Sequence, residues 1–414
     1  AGHHHIRAGI HSGGSTLQPA LNDEKVGTHM RHSTALRAAA ALAAAGALLL
    51  TSACSTGSLS AGSGDEPSSG SSASQVTTGT VGVQGDIQDI SKFCGDKDIT
   101  VALADGFGGN SWRKITRAIF ETEAAKCPNI TKVLYTDAQG DTQKAISDIN
   151  SLVAQGVDVI VTFVDGGEAL LPTIQKATEA GVKIVPFVGS PGGTPGKDYV
   201  DFVSEDITTY GKNLADWTIA TMGGKGNLVM LGGIAGNSYS QGVYEGVLEA
   251  VKENPGVTLL NTDGPVATDW EPGKTQQVVA GLITKYGDIN GIVADYGGGS
   301  VGGIRAFEAA GKPFPVWSAN DSNEFACLWY EYKDTQPTYQ IATESSRNWV
   351  VTVALHKALA AANGLPNDEP STYNLEIIED STDSSKQPKC ESSLPADAIL
   401  SSGLSVDQLK QLFQ

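Results

Sequence analysis

Residues 141–165 read DTQKAISDINSLVAQGVDVIVTFVD, and this stretch decides the fold. Ile146, Ile149 and Leu152 recur at helical spacing, so residues 142–155 are predicted to form an amphipathic helix. Gly156 supplies the left-handed stop, and residues 157–164 follow as an almost unbroken apolar run of strand length. A strand apolar on both faces, entered directly from a helix, belongs to a parallel sheet covered on both sides.

The same unit repeats outward in both directions. Upstream come a strand at 99–103, a helix at 112–126 and a strand at 132–135; downstream come a helix at 170–180 and a strand at 183–188. A second series starts near residue 205. Helices at 209–222, 240–253, 274–285 and 301–310 alternate there with strands at 226–231, 257–261, 291–294 and 316–319. Two lobes of similar build are expected, with the site between them, because open α/β sheets bind ligands beyond the carboxyl ends of their strands.

The 414 residues carry 28 basic and 46 acidic side chains, a formal charge of −18. That balance excludes a protein built to grip the phosphate backbone of a nucleic acid. Near the start, Met30, Arg31 and Arg37 precede an apolar run at 38–50 that ends in Thr51-Ser52-Ala53-Cys54. A basic start, an apolar run below the ~20 residues that span a bilayer, and small residues before a boundary describe an export signal. Residues 1–29, with His3-His4-His5, read as a tag or non-native leader, and residues 30–53 as the signal. Residues 54–95 read as a Ser/Gly-rich tether. Without the first 53 residues the count is 24 basic against 44 acidic, and His356 is the one histidine left. Besides Cys54 there are Cys94, Cys127, Cys327 and Cys390, an even set that suits disulfides in an exported chain. Three pairings are possible; proximity in sequence favours Cys94 with Cys127 and Cys327 with Cys390. No C-x-x-C spacing supports a metal or redox site.

Taken residue by residue, Asp141-Thr142-Gln143, Ile146, Asp148, Ile149, Leu152 and Gln155-Gly156-Val157-Asp158 closely resemble one helix–strand unit of the periplasmic sugar-binding proteins. These are the ribose- and galactose-type receptors of ABC importers. Gly233-Ile234-Ala235-Gly236-Asn237-Ser238 with Gly246 resembles that family's second-lobe loop. Thr268-Asp269-Trp270, Ile304-Arg305-Ala306 and Ala309-Ala310-Gly311 extend the likeness, which covers residues 98 to 365. The resemblance implies an α/β protein of two Rossmann-like lobes with parallel sheets joined by a hinge, the type I periplasmic-binding-protein architecture. Lobe one is placed at 96–203 plus 345–372 and lobe two at 204–344 plus 373–414. The cysteine closing the signal resembles a bacterial lipoprotein signal, with Cys54 as the lipidated residue. The implied partners are a monosaccharide or polyol, an ABC permease, and the membrane through the lipid anchor alone. No cofactor, metal or nucleic acid is expected, and the chain is expected to be a monomer outside the cytoplasm.

Sugars need aromatic faces for their C–H surfaces and planar polar groups for paired hydroxyls. On the family pattern, Asn110, Trp112 and Arg113 fall at first-lobe contacts; the plainer alternative makes Asn110 a helix cap and Trp112 a core residue. Asp165 ends a strand and serves either the cleft or a cap. The Asp-Arg pair common after the next strand is replaced by Pro186-Phe187-Val188-Gly189. In the second lobe, Gln241 stands at an arginine position, Trp270 at a stacking aromatic, Tyr296 at an asparagine, Asn320 at an aspartate and Glu344 at a glutamine. Trp217, Trp317, Trp329 and Trp349 are assigned to the core. Gly297 to Gly302 meets the spacing of a dinucleotide fingerprint but lies outside the first βαβ unit, where that motif belongs. Two alternative functions remain at this point. One is a sensing partner of a membrane signalling receptor. The other is an exported carbohydrate hydrolase using Asp165 and Glu344, since a lone His356 on an amphipathic helix gives no Ser-His-Asp triad.

Overall fold

The computed structural model describes residues 81–414; the leader, the signal, Cys54 and tether residues 54–80 lie outside the described residues. Strand β1 (Val81–Gly82) leads into two 3-10 turns, Gln84–Asp86 and Ile90–Lys92. Here the expected tether runs too far. Ile90 and Phe93 are buried and Cys94 is bonded to Cys127, so residues 81–95 are part of the folded body. Three apolar anchors, Ile87, Ile90 and Phe93, outweigh the Ser/Gly-rich composition of the stretch before them.

The first lobe alternates β2 (Ile99–Asp105), α1 (Ser111–Ala124), β3 (Ile130–Asp137), α2 (Thr142–Ala154), β4 (Val159–Phe163), α3 (Leu171–Glu179) and β5 (Lys183–Pro186). Its sheet is all parallel in the order β3-β2-β4-β5. The Asp141 carboxylate accepts the Gln143 and Lys144 N–H groups and thereby starts α2.

The second lobe follows as β6 (Ser204–Glu205), α4 (Ile207–Thr221), β7 (Gly226–Gly232), α5 (Ser238–Glu253), β8 (Val257–Leu259), β9 (Val266–Ala267) and α6 (Pro272–Tyr286). It continues through β10 (Gly291–Ala294), α7 (Gly297–Ala309), β11 (Val316–Asn320), α8 (Asn323–Tyr332) and β12 (Ile341–Glu344). Helix α9 (Val350–Asn363) returns to the first lobe and packs on α1, β4 and β5. Then come β13 (Thr372–Tyr373), β14 (Ile377–Asp380) and α10 (Val406–Leu412). The second sheet runs β14-β12-β11-β10-β7-β8, with β9 also on β7; β14 alone is antiparallel, on β12. The chain changes sheets before β6, after β12 and after β13, and β1, β13 and β6 form a small parallel sheet at these crossings. Residues 373–414, assigned from sequence to the second lobe, divide: β14 joins the second sheet while α10 lies against α1.

Side chains alternate across each sheet. Val101, Leu103, Val159 and Val161 share a core with α1 and α9, and through α4 and α5 with Leu228 and Met230 of the other sheet. Ala102, Ala104, Ile160 and Ile184 face α2 and α3 instead. Trp317, Trp329 and Trp349 are buried as expected; Trp217 is half-buried and donates to Asp380. The glycines of α7 do packing work: a Cβ at Gly302 would overlap the Pro272 carbonyl of α6, and one at Gly303 the Trp317 ring. Both expected disulfides, Cys94–Cys127 and Cys327–Cys390, are formed. His356 departs from expectation, because α9 is buried on nearly all sides rather than amphipathic. Its ring nitrogens meet Glu369 at 3.0 Å and Glu123 at 3.1 Å, which ties it into the lobe interior. Among the described residues no helix is long and apolar enough to cross a membrane.

Candidate ligand-binding site

In both sheets the chain steps outward after the first strand and then returns to the other side, between β2 and β4 and between β7 and β10. At these switch points the following loops diverge and leave a crevice beyond the carboxyl ends of the strands. A narrow cavity lies between the two switch points, lined by Asn110, Trp112, Arg113, Phe163, Tyr239, Trp270, Asp295, Tyr296, Asn320 and Arg347.

The first-lobe wall is built around Arg113, which is 3% exposed. Its guanidinium donates to Asp105, the last residue of β2, at 2.7 Å and to Asp165, just beyond β4, at 2.9 Å. Its flat face lies 3.5 Å over the Phe163 ring. Burial opposes the charge on Arg113, yet Asp165 and Asp105 more than offset it and hold its pKa above the ordinary value. Asp165 is raised to about 6, chiefly by burial, with Arg113 pulling the other way and Asp105 adding to the rise. Asn110 caps α1, its side chain accepting the Arg113 N–H at 3.1 Å, and lines the cavity as well. The two readings of Asn110 are thus compatible. Trp112 donates its indole N–H to the Ser346 carbonyl at 2.7 Å, which fixes the ring edge-on to Phe163.

The second-lobe wall centres on Asp295, which follows β10. Ser240, in the first turn of α5, donates to one carboxylate oxygen at 2.5 Å, and the Trp270 indole N–H to the other at 2.9 Å. Burial raises Asp295 to about 6, and these two neutral donors only partly resist the rise. Trp270 and Asp269 both adopt left-handed backbone, with φ of 56° and 54°. Gly233 makes room for the indole: a Cβ there would overlap it directly. Asn320 is held by its own amide, accepting from Gly297 N–H at 2.6 Å and donating to the Asp295 carbonyl at 3.2 Å. Burial also pushes the half-buried Tyr296 hydroxyl well up.

The walls meet across the cleft. Asn237 of the second lobe donates to Asp165 of the first at 3.0 Å, and the Ser238 hydroxyl to the Ser190 carbonyl at 3.3 Å. Phe107 meets Trp270 edge to face, their ring centres 5.8 Å apart.

Of the residues expected at the site, Asn110, Trp112, Arg113, Trp270, Tyr296 and Asn320 line this cavity, and Asp165 braces Arg113 from behind. Gln241 and Glu344 do not. On α5, Tyr239 faces the cavity and Ser240 holds Asp295. Gln241, a further ~100° around the helix, is exposed and lines a separate surface depression with Asp263 and Pro265. Glu344 is fully buried within the second sheet, beside Asn213 of α4. Burial raises it to about 8. Asp165 and Glu344, the pair considered for a hydrolase, are therefore not brought together around this cavity. Sequence reading missed Phe163 and Arg347, and took Tyr239 and Asp295 only as neighbours of Gln241 and Tyr296. For Arg347 one signal existed: only four arginines follow residue 80 (113, 117, 305 and 347), and this one sits three residues past a strand end.

Comparison with known proteins agrees with the architecture. Residues 101–336 match a family described as periplasmic binding protein domain. The xylitol-binding protein of Mycolicibacterium smegmatis is 26% identical over 189 residues, 45% of this chain and 52% of its own length. The galactofuranose-binding protein of Escherichia coli is 26% identical over 220 residues, 52% of this chain and 68% of its own. The first of these relatives is thus matched over only about half its length. Among solved structures, the Caulobacter myo-inositol binding protein bound to myo-inositol superimposes with a TM-score of 0.59 at 20% identity, covering 68% of this chain and 93% of that one. A galactofuranose binding protein gives 0.58 at 21% identity, covering 67% and 94%. These likenesses establish the two-lobe type I fold with its parallel sheets.

Proposed function

This chain belongs to the periplasmic binding protein domain family, and we propose that it is the extracytoplasmic receptor of an ABC importer, binding a monosaccharide or sugar alcohol between its lobes. One observation carries the reading. The two switch points present, around a single cavity, aromatic side chains from Trp112, Trp270, Tyr239 and Tyr296 together with planar polar groups from Asn110, Arg113, Asp295 and Asn320. Rings take the C–H faces of a carbohydrate, and planar polar groups take its hydroxyls in pairs. Arg113 already faces two carboxylates, so it offers no free positive charge to a phosphate or a sugar acid. A neutral ligand follows.

The protein acts by binding rather than by catalysis. Ligand contacts from both walls favour the arrangement in which the lobes meet, and that arrangement is what a permease recognises. Cys54, outside the described residues, serves in this reading as the lipid anchor that holds a monomeric receptor at the outer face of the membrane. The test is a thermal-shift panel of pentoses, hexoses, polyols, sugar acids and sugar phosphates. A neutral sugar or polyol raises the melting temperature, and the charged analogues of the same ligand do not. Stabilisation by an amino acid or a sugar phosphate alone defeats the assignment.

A further inference from the structure

Arg347 lies in the crossing that follows β12, where the sequence resemblance placed no ligand contact. It is 3% exposed and lines the cavity. Nε sits 2.6 Å from the carboxylate of Glu205, itself fully buried in the crossing strand β6. The guanidinium lies 4.4 Å from the Tyr239 ring centre, 5.4 Å from Tyr210 and 5.7 Å from Trp112, rings drawn from both lobes. The contact with Glu205 is an ion pair without hydrogen-bond geometry, and among the described residues neither Nε nor Nη1 of Arg347, nor the hydroxyl of Tyr239 beside it, has a hydrogen-bond partner. Buried donors are nearly always paired, and an unpaired charged donor is among the costlier exceptions. The backbone at Arg347 is left-handed, with φ 44°. Such a conformation is uncommon for a side-chain-bearing residue and recurs at ligand clamps. The Ser345 hydroxyl, accepting the Arg347 N–H at 3.1 Å, helps to hold it.

Taking the neutral-polyol reading as given, we propose that Arg347 donates through Nη1 to a ligand oxygen, and that Glu205 is the positioning residue that aims it. Glu205 pairs with the guanidinium and neutralises its charge, so Arg347 acts as an oriented donor rather than as an anion trap. Because Glu205 and Arg347 belong to two different crossings, a ligand oxygen held here links the cleft directly to the hinge.

Isothermal titration with xylitol, D-ribose, D-allose and myo-inositol tests this, comparing wild type with Arg347→Gln, Arg347→Lys, Glu205→Gln and the Glu205→Gln/Arg347→Gln double variant. Circular dichroism and melting of each variant confirm folding, and Arg347→Lys carries the test if Arg347→Gln does not fold. The best wild-type ligand is expected to bind about 10- to 100-fold more weakly to either Arg347 variant. Glu205→Gln loses about 10-fold, and the double variant loses no more than Arg347→Gln alone. Wild-type affinity in the Arg347 variants overturns the donor role, and multiplying losses in the double variant overturn the positioning role. If no probe binds wild type, the polyol reading itself falls and this inference with it. That outcome is distinct from a binding wild type with undisturbed variants.

Discussion

The two walls of the cleft hold a buried carboxylate in opposite ways. In the first lobe Asp165 and Asp105 share the Arg113 cation; in the second, Asp295 is held by a serine hydroxyl and an indole N–H and, among the described residues, makes no ion pair. Burial drives Asp165 and Asp295 alike to about 6. Arg113 therefore pulls against the burial of two acids, while Ser240 and Trp270 leave Asp295 poised as an acceptor. One wall is braced by an ion-pair triad in which Asp165 Oδ2 keeps an unpaired acceptor, and the other holds its carboxylate with neutral donors alone.

That contrast is broken most severely at Arg113. Arg113→Met leaves two carboxylates buried without their partner and is expected to cost ~3–5 kcal/mol of stability, together with loss of carbohydrate binding. A melting temperature near that of wild type would show that the first wall does not depend on the triad. Next comes Gly233→Ala, which drives a methyl into Trp270: affinity in calorimetry falls about 10- to 100-fold with the fold retained. Unchanged affinity removes Trp270 from the site.

The pH dependence sharpens the comparison further. Asp295 has an ordinary pKa of 3.8 and a folded value of about 6, so the folded protein keeps a proton that the unfolded chain has released. Its contribution to stability is complete below about pH 4 and is lost as pH rises through 6. The melting temperature of Asp295→Asn relative to wild type should therefore climb between pH 4 and 6 and then level off. Glu344→Gln, away from the cleft, should show the same rise extended to pH 8, since Glu344 moves from 4.5 to about 8. A flat difference in either variant contradicts the burial that causes the shift. The smallest effect belongs to Gln241→Ala, whose ligand affinity stays within about two-fold of wild type.

The fold was legible because residues 141–165 carry both periodicities and the glycine between them, and that unit repeats. Cavity-lining residues near strand ends were legible for the same reason, since Asn110, Trp112, Arg113, Tyr296 and Asn320 all follow a predicted strand. Gln241 failed because nothing local says which of three successive residues at a helix start turns inward. Glu344 failed because β12 ends in the sheet interior, and the chain reaches the cleft only three residues later, at Arg347. The ion pair of Arg347 with Glu205 spans 142 positions and leaves no trace in spacing. The tether was drawn too long because composition averages over a stretch, whereas three apolar side chains suffice to anchor one.

The central claim is that a neutral polyhydroxyl ligand is held jointly by both walls, and a crystal structure with the tightest binder of the thermal-shift panel tests it most directly. The ligand is expected against Trp270, with hydroxyls at Arg113 and Asp295. A ligand touching one lobe alone, or seated in the depression beside Gln241, would contradict it.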